Sequence, residues 1–120
     1  MGGPFFPIIH FSESLMAKIK FTLVPNPTFK HKVPMPIPGG AFADVEFTFK
    51  HRGKEEFTEF LERAKDMDDT DLVLAIASGW ELEEPFDKDN VGQLVENYVG
   101  AARAIFTAYM DEIVKARLGN

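Results

Sequence analysis

The 120-residue sequence has no cysteine, which excludes a disulfide framework, a thiolate metal site and a cysteine nucleophile. No apolar run approaches the roughly 20 residues that a membrane helix requires, so a membrane is not an expected partner. Positive charge is also short: 13 Lys and Arg face 19 Asp and Glu, a net charge of −6. No Lys/Arg cluster is interleaved with aromatics, and nucleic acid is therefore not expected either. Catalytic patterns are missing as well. His10, His31 and His51 are far apart, and none has an acid or serine at a recurrent catalytic spacing, so each reads as a surface or internally satisfied histidine.

Other short motifs yield equally little chemistry. Residues 66–71, DMDDTD, bring carboxylates together, but a calcium loop starting at Asp66 needs glycine at its sixth position and glutamate at its twelfth. The chain has Asp71 and Ala77 there, and helix-capping acids are the better reading. Gly39-Gly40 is followed by neither a GxGxxG nor a GKS/GKT pattern and is no phosphate loop. Glu83-Glu84 has no carboxylate that the sequence places opposite it, so a glycosidase-type pair is unsupported. Trp80 can stack on a ligand or close a gap between helices. No nucleophile, base and oxyanion donor come together. The expectation is a non-enzymatic chain with no catalytic residue, no cofactor and no metal.

What is present is a change of period along the chain. Residues 17–24, AKIKFTLV, alternate with Ala17, Ile19, Phe21 and Leu23 on one side, which predicts a half-buried strand. Phe29 to Ile37 alternates again. Residues 41–49, AFADVEFTF, predict a strand with Ala43, Val45, Phe47 and Phe49 inward and Asp44, Glu46 and Thr48 outward. The strands at 17–24 and 41–49 are expected to pair antiparallel. After Gly53 the spacing turns helical. Phe57, Phe60, Leu61 and Ala64 form one stripe, with Glu55 and Glu56 in the favourable first turn. A short apolar helix, DLVLAIAS, follows, capped by Asp69 or Thr70 and stopped by Gly79. Asp87 can cap a third helix presenting Val91, Leu94, Val95 and Tyr98. The last helix, 101–118, carries a stripe of Ala102, Ile105, Phe106, Tyr109, Ile113 and Ala116. Met110, Val114 and Leu118 widen that stripe beyond one contact. The predicted fold class is α+β, a small N-terminal antiparallel hairpin or sheet packed on a C-terminal bundle of about four helices.

The stretch VPMPIPGG, 33–40, places Pro34, Pro36 and Pro38 at alternate positions and so removes the N–H donors from one edge of an extended chain. It reads either as a one-sided edge strand or as an arm lying on a partner. Charge is divided along the chain. Residues 1–54 carry seven Lys/Arg against Glu13, Asp44 and Glu46, a net +4, and residues 55–120 carry six against sixteen acids, a net −10. The two ends can attract each other between subunits, although solvation alone explains acidic surface. Residues 1–15, with no basic n-region and no cleavage site, are a poor signal peptide. They read as a leader or extension before a start at Met16, with 16–120 forming a single domain.

In their order, MAKIKFTLVPNPTFKHKVPMPIPGG, FKHRGKEEFTEFL, GWELEEPF and NYVGAARAIFTAYMDEI resemble the tail assembly chaperones of long-tailed bacteriophages and prophages, from Met16 to the C-terminus. The resemblance implies a chain in the host bacterial cytoplasm that binds the tape measure protein and keeps it soluble. It also implies recruitment of tail tube protein, self-association into a ring or helical array, and absence from the mature virion. The chain looks like the short form of a pair in which the longer form arises by frameshift. Candidate protein-binding residues are Phe29, Val33, Met35 and Ile37 on the face they share, and Phe106, Met110 and Val114 on the last helix. The alternatives are a minor tail or head-completion protein retained in the virion, and a small-ligand-binding domain using a pocket near Trp80.

Overall fold

A computed structural model of the chain describes residues 20–118, with side chains to 115. Elements follow in the order β1 (Thr28–Ile37), β2 (Ala41–Lys50), α1 (Lys54–Ala64), α2 (Asp69–Ile76), β3 (Ala77–Trp80), α3 (Lys88–Asn97) and α4 (Ala101–Leu118). The three strands form one antiparallel sheet, β1-β2-β3, so the α+β prediction holds.

β1 and β2 make a hairpin in register from Thr28↔Lys50 to Ile37↔Ala41. Its turn is possible because Gly39 and Gly40 adopt φ of +108° and +100°, values a side chain strongly disfavours. The alternation holds along β1 and for Phe47 and Phe49 on β2, whereas Ala43, expected inward, is exposed toward the hairpin end and Glu46 and Thr48, expected outward, are half-buried where β3 pairs alongside. Val33 and Met35 are buried on β1, Phe47 and Phe49 on β2, and Lys30, Lys32 and Pro34 face water. Pro34 and Pro36 have no N–H to give, so their backbone faces the outer edge while Val33 and Met35 bond to β2. The proline stretch is thus the one-sided edge strand.

Residues 20–27 correct the predicted first strand. The structure has no strand there, and β2 pairs with 28–37 instead. Phe21, Leu23 and Val24 are 93%, 94% and 83% exposed. The reason is that the expected partner is taken: β1 and β3 occupy both sides of β2, and prolines blunt the outer side of the adjoining β1. Residues 1–19, which include His10, the leader and the first part of that strand, lie outside the described residues.

The second correction concerns the end of α2. Asp68, one residue before the expected cap, accepts the Asp71 N–H at 2.8 Å. The helix stops at Ile76, and Ala77 to Trp80 pair with β2 rather than continuing the helix to Gly79. Gly79 takes no left-handed conformation, so it is not a helix stop. An eight-residue helix has little stability of its own, and β2 offers a free ladder of backbone groups. Pairing wins, with Ser78 as the extra residue of a bulge between Thr48 and Phe49.

The helices lie over the sheet face that carries the phenylalanines. Phe29, Phe47, Phe49, Phe60 and Tyr109 form a run of aromatic contacts, with ring centroids 5.4 to 6.3 Å apart for Phe49–Tyr109, Phe47–Phe49, Phe60–Tyr109 and Phe29–Tyr109. Val73 and Ile76 from α2, Val91 from α3 and Ile105 from α4 complete the core. Asp87 caps α3 as predicted, accepting from the Asn90 N–H at 2.9 Å.

Candidate protein-binding surface

Tyr109 ties the core to the entrance of α1. Its hydroxyl donates to the Lys50 carbonyl at 2.9 Å and accepts from Arg52 Nη1 at 3.1 Å. The Arg52 guanidinium also lies 4.3 Å over the Phe60 ring. Burial pushes the Tyr109 phenol above its usual pKa of 10.0, and Arg52 opposes that shift. An open cleft of about 300 Å³ beside it mixes Lys50, Arg52 and Arg63 with Glu56 and Glu59. Arg52 already serves Tyr109 and Phe60, so its first role is to hold the fold.

The candidate residues fall into different environments. Phe29, Val33 and Met35 do share a face, and it is the core face: Val33 and Met35 are 0% and 7% exposed, and Phe29 stacks on Tyr109. Ile37, at the hairpin end, is 39% exposed. Phe106, Met110 and Val114 are half-buried and follow one another at four-residue spacing along α4. Phe106 meets Phe60 with centroids 6.5 Å apart, while Met110 and Val114 lie one and two turns further along.

Near the hairpin end stand two apolar residues that the sequence reading passed over, Phe42 and Val99, and Tyr98, expected on the third helix, instead follows its end and is exposed. Phe42 is 66% exposed and pairs across the strands with Pro36. A Cβ at Gly100 would stand 3.2 Å from the Pro36 ring, so the turn between α3 and α4 abuts the proline edge. That turn carries Val99 and Tyr98, 90% and 40% exposed. Ile37 and Phe42 thus leave apolar side chains on the two faces of the hairpin end, and Val99 stands exposed in the turn that abuts its edge at Pro36, while Tyr98 lines the cleft beside β3. The signal was available for Phe42, an apolar residue on the outward parity of a strand whose other outward residues are polar. Val99 carried no periodic signal, because its position depends on how the last helix meets β1.

A second opening, of about 290 Å³, lies beside β3 between Trp80, Leu82, Leu94 and Tyr98, with Glu84 and Asn97 also on its wall. Trp80 is fixed there by an Nε1–H bond to the Glu84 carbonyl at 2.7 Å and by edge-on contact with Phe86, centroids 5.1 Å apart. The tryptophan therefore closes a packing gap with one part of its ring system and lines a cleft with another. No group of three or more His, Asp or Glu among the described residues is placed to hold a metal ion. No helix among them is long and apolar enough to cross a membrane.

Comparison with known proteins gives one family. A profile described as phage tail assembly chaperone matches residues 16–120. Neither curated proteins nor solved structures provide a match. With a complete core, apolar residues left in water and a family match across seven-eighths of its length, the chain belongs to the phage tail assembly chaperone family.

Proposed function

We propose that this chain is a non-enzymatic binding protein of the host bacterial cytoplasm. It keeps the tape measure protein soluble, helps bring tail tube protein to it, and leaves before the virion is complete. Self-association into a ring or helical array belongs to the same reading. The observation that supports it best, beside family membership, is apolar surface left over after the core is filled: Ile37, Phe42 and Val99 near the hairpin end, with Tyr98 at the cleft beside β3. Large apolar side chains left exposed near one end of a small protein supply the surface from which a protein contact is built. An amphipathic client helix covers its own apolar face by lying on such a surface.

Of the β1 candidates, Ile37 belongs to that contact, and Phe29, Val33 and Met35 hold the hairpin against α4. The row of Phe106, Met110 and Val114 offers a second helix-sized contact, with Phe106 sharing its ring with the core. The test is co-expression of the full chain with the tape measure protein of the same phage, followed by pull-down and light scattering. A soluble stoichiometric complex is expected, weakened by Phe42→Ser and Val99→Ser without loss of fold. A tape measure protein that stays insoluble and uncaptured refutes the client assignment. Mass spectrometry of purified particles checks the departure, and finding this chain there favours a retained tail component.

A further inference from the structure

Residues 20–24 are an apolar arm that pairs with no strand among the described residues. Phe21, Leu23 and Val24 are all more than four-fifths exposed, in a segment whose alternation is that of a strand. The base of the arm is fixed: the His51 N–H donates to the Pro27 carbonyl at 2.8 Å, at the end of β2. The sheet leaves two outer edges. Pro34 and Pro36 blunt that of β1, whose exposed Lys30 and Lys32 would also face the arm's Lys20 as like charges. Beside β3, charge has the opposite sign, with Glu81, Glu83 and Glu84 all exposed. The cleft there has an apolar wall of Trp80, Leu82 and Leu94, and its volume of about 290 Å³ is near the lower limit of binding pockets.

We infer that the arm of one copy docks in the Trp80 cleft of a second copy, with Phe21 on Trp80 and Leu82 and Lys20 beside Glu84. The inference rests on the self-association proposed above and gives it a mechanism. Two observations commit the site to a second copy. The arm's apolar side chains stand in water beside the described residues of their own copy, and its Lys20 is opposite in sign to the exposed Glu81, Glu83 and Glu84 by the cleft. Each copy then supplies one arm and one cleft. Such heterologous contacts close into a ring or run on as a filament, according to the rotation per step.

Trp80 is the chain's single tryptophan and lines the cleft, so it reports occupancy directly. The experiment follows its emission against protein concentration, alongside molar mass from light scattering, for the full chain and for the F21S/L23S variant. In the wild type, a blue shift is expected to rise together with molar mass, and both to weaken as salt screens the exposed charges. In the variant, the shift and the assembly are lost while the melting temperature measured at low concentration is unchanged, because both side chains are exposed. Leu82→Lys, which sets like charge against Lys20, is expected to have the same effect from the other side. Assembly that persists unchanged in both variants overturns the arm inference and leaves self-association standing. A wild type that stays monomeric throughout overturns both. An arm-dependent Trp80 shift that does not vary with concentration places the arm in its own cleft and overturns the second-copy assignment.

Discussion

Replacing Tyr109 by Phe removes one oxygen and no ring. The aromatic packing with Phe29, Phe49 and Phe60 is kept, and what goes is the bond to the Lys50 carbonyl and the bond from Arg52. A neutral hydrogen bond contributes about 1 kcal/mol and one to a charged group about 1.5–3 kcal/mol. Arg52 is only half-buried and keeps its place over Phe60, which limits its loss to the lower end. The expected cost is about 2–3 kcal/mol. For a domain of this size that corresponds to a drop of about 8–12 °C in melting temperature.

The same variant changes the alkaline limb. Burial raises the native phenol's pKa above 10.0, so above pH 10 the native state holds a proton that the unfolded chain has released. Stability from this group is complete below the unfolded pKa and declines as pH rises from there through the raised native value. Urea unfolding between pH 8 and 11.5 should therefore give a steeper alkaline decline for wild type than for Tyr109→Phe, with other titrations common to both. A variant within about 0.5 kcal/mol of wild type, with a parallel alkaline limb, would refute the role assigned to the hydroxyl.

Two further perturbations separate fold from surface. Gly40→Ala forces a side chain onto a φ of +100°, and about 1–3 kcal/mol of destabilisation is expected in denaturant unfolding, with no clash against the rest of the fold to blame, since beyond the adjoining residues no atom lies within 4 Å of the added Cβ. An alanine variant of wild-type stability would mean that the turn relaxes freely. Met35→Asp places a carboxylate where the native side chain is 7% exposed and is expected to abolish or severely weaken folding, whereas Ile37→Asp, at a site 39% exposed, should cost under about 1 kcal/mol. Equal effects of the two by circular dichroism and thermal melting would contradict the division of β1 into a core half and a free end.

Legibility in the sequence followed how local each cause was. The hairpin glycines, the Asp87 cap, the stripe of α1 and the alternation of β2 all arise from backbone preferences or from a period of two or 3.6, and these are properties of neighbouring residues. Pro34 and Pro36 likewise determined by themselves that one strand edge would be closed, since an absent N–H is absent in any fold. The exposed state of Phe21 and Leu23, the strand at Ala77–Trp80 and the burial of Met35 were decided only in three dimensions. Each depends on which backbone edge is still free and on which helix covers which face. Alternation equips a segment to pair, but only the sheet decides whether there is an edge to pair with. Thus the same strand-like pattern became a central strand at 41–50 and an unpaired arm at 20–24, where β2 had no side left to offer.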